Sequence, residues 1–302
     1  MRVPSLARDL AAEQRGFLRG DRARWTEHLA RARTFLGEGL GAADPAAPVL
    51  VLGAGSGLEV PWALAPPSTV GWDADPWSRV RTCLRHRRWP PWMFQDLTGG
   101  LEDLAALAWR TAHRPWSGEL RASRTAWRRL AGLTPTLAPG CGPLRDWLRE
   151  HRPGTILSAN VMGQFRAVAR RLVERAFAGC PPAGPDPEEP DVVDLALQDW
   201  TARAVRAYLG VLLESGADLW LVHDQAVLFG AEPVTLGPMA ETWMEQVRAD
   251  GPLEVLDPLC GVDVARELRG RTPALRQRWA WHLAPGRTHV MEAMRIPPGP
   301  DS

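Results

Sequence analysis

Lysine is absent from this 302-residue chain: all 36 basic residues are Arg. Isoleucine occurs only at positions 156 and 296, asparagine only at 160 and tyrosine only at 208. These residue types have A/T-rich codons, so their scarcity implies strongly GC-rich, bacterial coding and removes any weight from Arg standing where Lys could. It leaves the one Asn160 of interest. An excess of one charge is also missing, with 36 basic against 35 acidic residues and a formal net charge of +1. That balance gives no global case for a nucleic-acid or membrane partner. No uncharged run approaches the ~18 apolar residues of a membrane span. The opening stretch "MRVPSLARDLAAEQRGFLRGDRARW" lacks the apolar core of a signal peptide, and a cytoplasmic location is expected. The four cysteines, at 83, 141, 180 and 260, are far apart and form no CxxC or Cys/His cluster. Reduced thiols are therefore expected, and no metal site.

What is present is ordinary in bulk, 45% apolar and 24% charged, and enough for one large core. Residues 5–40 read as one or two amphipathic helices carrying Leu10, Phe17, Trp25, Leu29 and Phe35. A Gly/Ala/Pro linker then leads into Val49–Leu52, a continuous apolar run of the kind a buried parallel strand shows. The pattern predicts a helix over about 58–64, a strand at Thr69–Trp72, a helix over about 76–87 and a third strand in "WMFQDL" at 92–97. From 98 to about 153 it is helical but long for one crossover, and reads as an insertion or cap. A fourth strand follows in "GTILSANVM" (154–162), then a helix at about 163–177, a proline-rich acidic loop at 180–191 and a helix at about 192–215. "ADLWLVHD" (217–224) is the fifth strand, and 276–296 reads as two strands around "APGR". The expectation is a doubly wound, mostly parallel α/β sheet with an antiparallel strand near the C-terminus. Its divisions are an N-terminal helical cap at 1–46, a main domain at 47–296 containing the insertion, and a tail at 297–302.

The chemistry should sit at the C-terminal ends of the parallel strands. Gly53, Gly55 and Gly57, with Ala54 between the first two, follow the first strand directly, where glycine permits a tight turn and close backbone approach to a ligand. A dinucleotide fingerprint requires its third glycine at 58, where this chain has Leu, with Glu59 next to it. A carboxylate there would repel a pyrophosphate and suit a cationic amino-acid group.

With "VLVLGAGSG", "VGWDADP", "FQDL" and "TILSANVM" in order, the chain resembles the class I S-adenosylmethionine-dependent methyltransferases over about 47–165 and again over 190–225. The resemblance implies that Asp73, with Ala74 beside it, binds ribose hydroxyls. It implies that Asp96 and Leu97 meet the adenine, and that Asn160 lies near the methionine end. The acid common in that family two residues before the first glycine is Val51 here, so Glu59 is a candidate for the methionine amine. S-adenosyl-L-methionine is thus the implied cofactor, and methyl transfer to an O or N acceptor on a small molecule or peptide the implied activity. His223, with Asp224 to orient it, is the candidate base should the acceptor carry a departing proton; a buried histidine with a backbone partner is the bland alternative. Motifs for nucleobase amino groups, for cytosine C5 and for a catechol-type metal site are missing.

Other readings stay open. Between 110 and 130 there are six Arg and one Glu with tryptophans interleaved, which would suit RNA as acceptor; a solvated cap helix looks the same in a chain without Lys. An NAD(P)-dependent oxidoreductase would use Asp73 for its ribose, with Leu58 against it. A non-catalytic nucleotide-binding protein would keep the loop alone.

Overall fold

The computed structural model describes residues 16, 19, 21–55, 57–113, 119–178, 191–230 and 254–299. Most of the first twenty residues, Trp116, the side chain of Arg124, Cys180, the acidic loop to 190 and the end of the tail lie outside them.

Helix α1 (Arg22–Ala42) starts where the Asp21 side chain accepts the Arg24 N–H, and it turns Trp25, His28, Ala32, Phe35, Leu36 and Leu40 inward at helical spacing. Gly39 on that face brings the helix against the sheet, since an added Cβ would lie 2.8 Å from the Trp220 ring. Strands β1 (Val49–Leu52) and β2 (Thr69–Trp72) follow. After α2 (Trp77–His86), strand β3 is only Trp92–Met93, because Pro90 and Pro91 precede it and Asp96 opens the next helix. Then come α3 (Leu101–Ala112), α4 (Glu119–Leu133), α5 (Gly142–His151), β4 (Thr155–Ala159), α6 (Gln164–Ala176) and α7 (Val192–Glu214). The chain finishes with β5 (Asp218–Phe229), β6 (Glu254–Leu256), α8 (Val264–Glu267), β7 (Leu275–Ala284) and β8 (Arg287–Ile296).

The sheet order is β3-β2-β1-β4-β5-β8-β7, with β6 paired to β5 off that path. The first five strands are parallel; β8 lies antiparallel to β5 and to β7. Strand order reverses between β1 and β4, which are neighbours although β2 and β3 intervene in sequence. The doubly wound, mostly parallel sheet with an antiparallel C-terminal hairpin is thus as expected.

Two apolar layers cover it. One joins α3, α5, α6 and α7 through residues such as Leu104, Leu144, Phe165, Trp200 and Tyr208. The other is α1 with Trp62, Trp279 and Trp281. The 98–153 segment is therefore no separate cap: Leu101, Leu104, Leu144 and Trp147 belong to the main core. Trp127 of α4 donates to Asp191 at the start of α7, and Arg170 of α6 lies over its ring.

The predicted helix over 58–64 does not form. Only a single 3₁₀ turn at Trp62–Leu64 is present, because Pro61 and the Pro66–Pro67 pair leave too few residues to repay helix nucleation. β5 runs five residues past Asp224, because β8 and β6 continue beside it and supply hydrogen-bond partners beyond the end of β4.

Candidate functional site

The β1–β4 reversal opens the crevice that ligands of doubly wound sheets occupy, and the candidate residues gather there. Gly53 has φ +66° and lies so close to the β4 exit that an added Cβ would stand 2.2 Å from Val161 Cγ2 and 2.9 Å from the Ala159 carbonyl oxygen. Gly55 and Gly57 also have positive φ. No helix fixes this loop, so side chains do. The Gly55 N–H donates to Asp73 Oδ2 at 2.8 Å, His86 Nε2 donates to the Gly57 carbonyl at 2.9 Å, and Arg33 Nε of α1 donates to the Leu58 carbonyl at 2.6 Å.

Asp73 ends β2 half-buried, and its Oδ1 accepts the Asp75 N–H at 2.8 Å. Burial pushes its carboxyl up to about 6, against the pull of the N–H groups of Asp75 and Gly55. Ala74, beside it, packs on the core. Asp96 is committed more heavily: it accepts the N–H groups of Thr98, Gly100 and Leu101 and the Thr98 hydroxyl, closing the turn into α3. Leu97 is core. Asn160 leaves β4 at φ +50°, a left-handed conformation that Asn tolerates better than most residues, and its Oδ1 is buried without a hydrogen-bond partner among the described residues.

Glu59 follows the loop with its side chain 18% exposed, and its Oε1 is 2.9 Å from Nε2 of the buried His28. Trp279 Nε1 donates to His28 Nδ1 at 3.1 Å, which places the His28 proton on Nε2. The His28 ring stacks on Trp281 with centroids 4.0 Å apart and planes 9° from parallel.

His223 and Asp224 are not brought together. Neighbours in a strand face opposite layers: His223 lies opposite Glu292 of β8, while Asp224 meets His289, whose Nδ1 donates to its Oδ1 at 3.0 Å. Burial would raise the Asp224 carboxyl, but the charge and hydrogen bond of His289 hold it below the usual carboxylate range. Its Oδ2 is packed on the start of α6, where a Cβ added to Gly163 would lie 2.4 Å away. His223 is 1% exposed with no hydrogen-bond partner on either ring nitrogen, and burial holds its imidazole below the ordinary range. Sequence reasoning missed His28 and His289; a histidine inside an amphipathic pattern and another in a strand carry no local mark of what they face.

Among the described residues, no group of three or more His, Cys, Asp or Glu could hold a metal ion, and no helix is long and apolar enough to cross a membrane.

No family model matches the sequence, and no curated protein does. Solved structures give distant likenesses. The N-methyltransferase NodS from Bradyrhizobium japonicum, in complex with S-adenosylhomocysteine, is 13% identical with a TM-score of 0.42, covering 98% of this chain and 100% of that one. Magnesium protoporphyrin IX methyltransferase from Synechocystis, with bound S-adenosylmethionine, is 11% identical with a TM-score of 0.32, covering 89% and 79%. Likeness at this level decides nothing about chemistry, which has to come from this chain's own residues.

Proposed function

We propose that this chain is an S-adenosylmethionine-dependent methyltransferase acting on an O or N acceptor of a small molecule or peptide. The observation that carries the reading is the glycine loop itself. It opens the β1–β4 crevice, is held by Asp73 at the end of β2, and has no α-helix behind it. A pyrophosphate binds such a loop through a helix N-terminus, whose N–H groups and dipole favour the anion. Here a 3₁₀ turn and the carboxylate of Glu59 stand in that place. An uncharged thioether or sulfonium nucleoside with a cationic amino group suits the same place.

The residues fit that cofactor. Asp73 would take the ribose hydroxyls, for its oxygens carry lone pairs beyond the two backbone N–H groups they accept. Glu59 would take the amino group. Asn160 supplies a buried Oδ1 with no hydrogen-bond partner among the described residues. Ala74 and Leu97 would flank the ribose and adenine, and Asp96 would offer the adenine what its turn contacts leave free. When bound, the cofactor brings a methyl group already activated by its sulfonium, so the protein's task is chiefly to place the acceptor. His223 lies behind the sheet, and Asp224 is buried and held by His289 below the usual carboxylate range, so neither is assigned as a base.

Calorimetry with S-adenosylhomocysteine and with NADH tests the reading. Micromolar binding of the first and none of the second is expected; tight NADH binding without the other would overturn it.

A further inference from the structure

We infer that His28 and Trp279 are positioning residues that aim Glu59 at the amino group of the cofactor, so that α1 and β7 complete the methionine end of the site. The inference rests on the methyltransferase reading above.

Glu59 needs such help. It sits on a stretch of bends rather than in a helix or strand, and three side-chain torsions would otherwise be free. His28 is fully buried, yet one of its two ring nitrogens is spent on a carboxylate at the loop. Its orientation is fixed twice, by stacking on Trp281 and by the N–H of Trp279 at Nδ1. Because Nδ1 accepts, Nε2 must donate, and its partner among the described residues is Glu59 Oε1. The result is a directed chain of donors, Trp279 to His28 to Glu59, that joins β7, α1 and the glycine loop across 251 residues of sequence. It consumes Oε1 and leaves Oε2 for an incoming ammonium.

The same helix also holds the loop's backbone through Arg33 and the Leu58 carbonyl. Two ties from α1, one to the main chain and one to the neighbouring carboxylate, fix both the place and the direction of the acid. A family acid before the first glycine would have been positioned by β1 itself. With Val51 there, the acid comes from outside the sheet and needs support from outside it.

The experiment is a double-mutant cycle read by calorimetry with two ligands. S-adenosylhomocysteine carries the amino-acid group; 5′-methylthioadenosine has the same nucleoside and thioether without it. Glu59→Gln is expected to weaken S-adenosylhomocysteine about tenfold or more and His28→Leu about fivefold, with His28→Gln, which keeps an N–H donor, within about threefold of wild type. Trp279→Phe should weaken it about two- to threefold. In the Glu59→Gln background, His28→Leu should add less than a further twofold. Affinity for 5′-methylthioadenosine should stay within about twofold of wild type throughout, which a merely structural role for His28 would not permit. Equal losses for both ligands, or additive effects of His28→Leu and Glu59→Gln, would overturn the relay and leave the cofactor intact. Absence of S-adenosylhomocysteine binding by the wild type would overturn the cofactor reading and the relay with it. If His28→Leu fails to fold, Trp279→Phe carries the cycle, and its loss for S-adenosylhomocysteine should disappear in the Glu59→Gln background; a loss that persists there would overturn the relay.

Discussion

Asp73 separates folding from binding, and Asp73→Asn is the substitution that shows it. The carboxylate accepts Gly55 N–H through Oδ2 and Asp75 N–H through Oδ1, both at 2.8 Å. Asparagine has one carbonyl oxygen, so one of the two N–H groups must face an amide NH₂. An unmet donor of this kind costs about 1–3 kcal/mol. Against it stands relief: burial has raised the carboxyl to about 6, so at neutral pH the folded state carries a charge it would rather neutralise. The two terms oppose, and net stability should change by no more than ~1 kcal/mol.

Binding has no such compensation. A ribose hydroxyl donating to an ionised carboxylate contributes about 1.5–3 kcal/mol, so losing one such bond weakens S-adenosylhomocysteine about ten- to hundredfold. The raised pKa adds a second signature. A carboxyl titrating at about 6 is about one-tenth ionised at pH 5 and nine-tenths at pH 7. Wild-type affinity should therefore rise roughly ninefold over that range while Asp73→Asn stays flat. The folded state binds the extra proton, so the stability linked to Asp73 runs the other way, present below the unfolded carboxylate range and lost as pH climbs through about 6. Urea unfolding and calorimetry at pH 5, 6 and 7 measure both. Asp73→Asn binding within twofold of wild type, or a flat wild-type profile, would refute the reasoning.

Two further predictions concern the same crevice. Gly53→Ala should cost ~3 kcal/mol or more, through a methyl group driven into Val161 and the Ala159 carbonyl, whereas Gly55→Ala, whose nearest neighbour is the Gly53 carbonyl at 3.6 Å, should cost only the ~1–2 kcal/mol of its left-handed backbone; equal denaturation midpoints would sink the contrast. His223→Met should change stability little, since the buried ring makes no hydrogen bond and Glu292, 3.7 Å from its Nε2, keeps Arg276 and Arg278, while Asp224→Ala strands the Nδ1–H of His289 and should lose ~1–3 kcal/mol. Because the folded Asp224 carboxyl is depressed, that loss should be full at neutral pH, begin to shrink below the unfolded carboxylate range and vanish as pH falls through the depressed folded value; a deficit that does not shrink on acidification would contradict the pairing.

Where an element depends on its own residues, it was legible. Val49–Leu52 is a strand in the fold as in the pattern, and the glycines after it take the left-handed turn that only glycine adopts cheaply. At 58–64 the expectation of a helix behind such a loop gives way to the stretch's own prolines. β5 outruns the apolar pattern that ends at Asp224 because β8, distant in sequence, pairs with it antiparallel.

Sequence by itself determined the parallel sheet, the glycine loop, and the placement of Asp73 and Asn160 at strand ends, because strand period and turn chemistry are local; Asp96 falls instead in the turn into α3, three residues past the short β3. It could not determine what each charged group faces. Adjacent residues of a strand look into opposite layers, so His223 and Asp224, joined in sequence, are parted by the sheet. Pairing β8 with β5 supplied His289 to Asp224, and packing α1 on the sheet over β7 brought His28 and Trp279 to Glu59. Those pairings span up to 251 residues and exist only once the layers close.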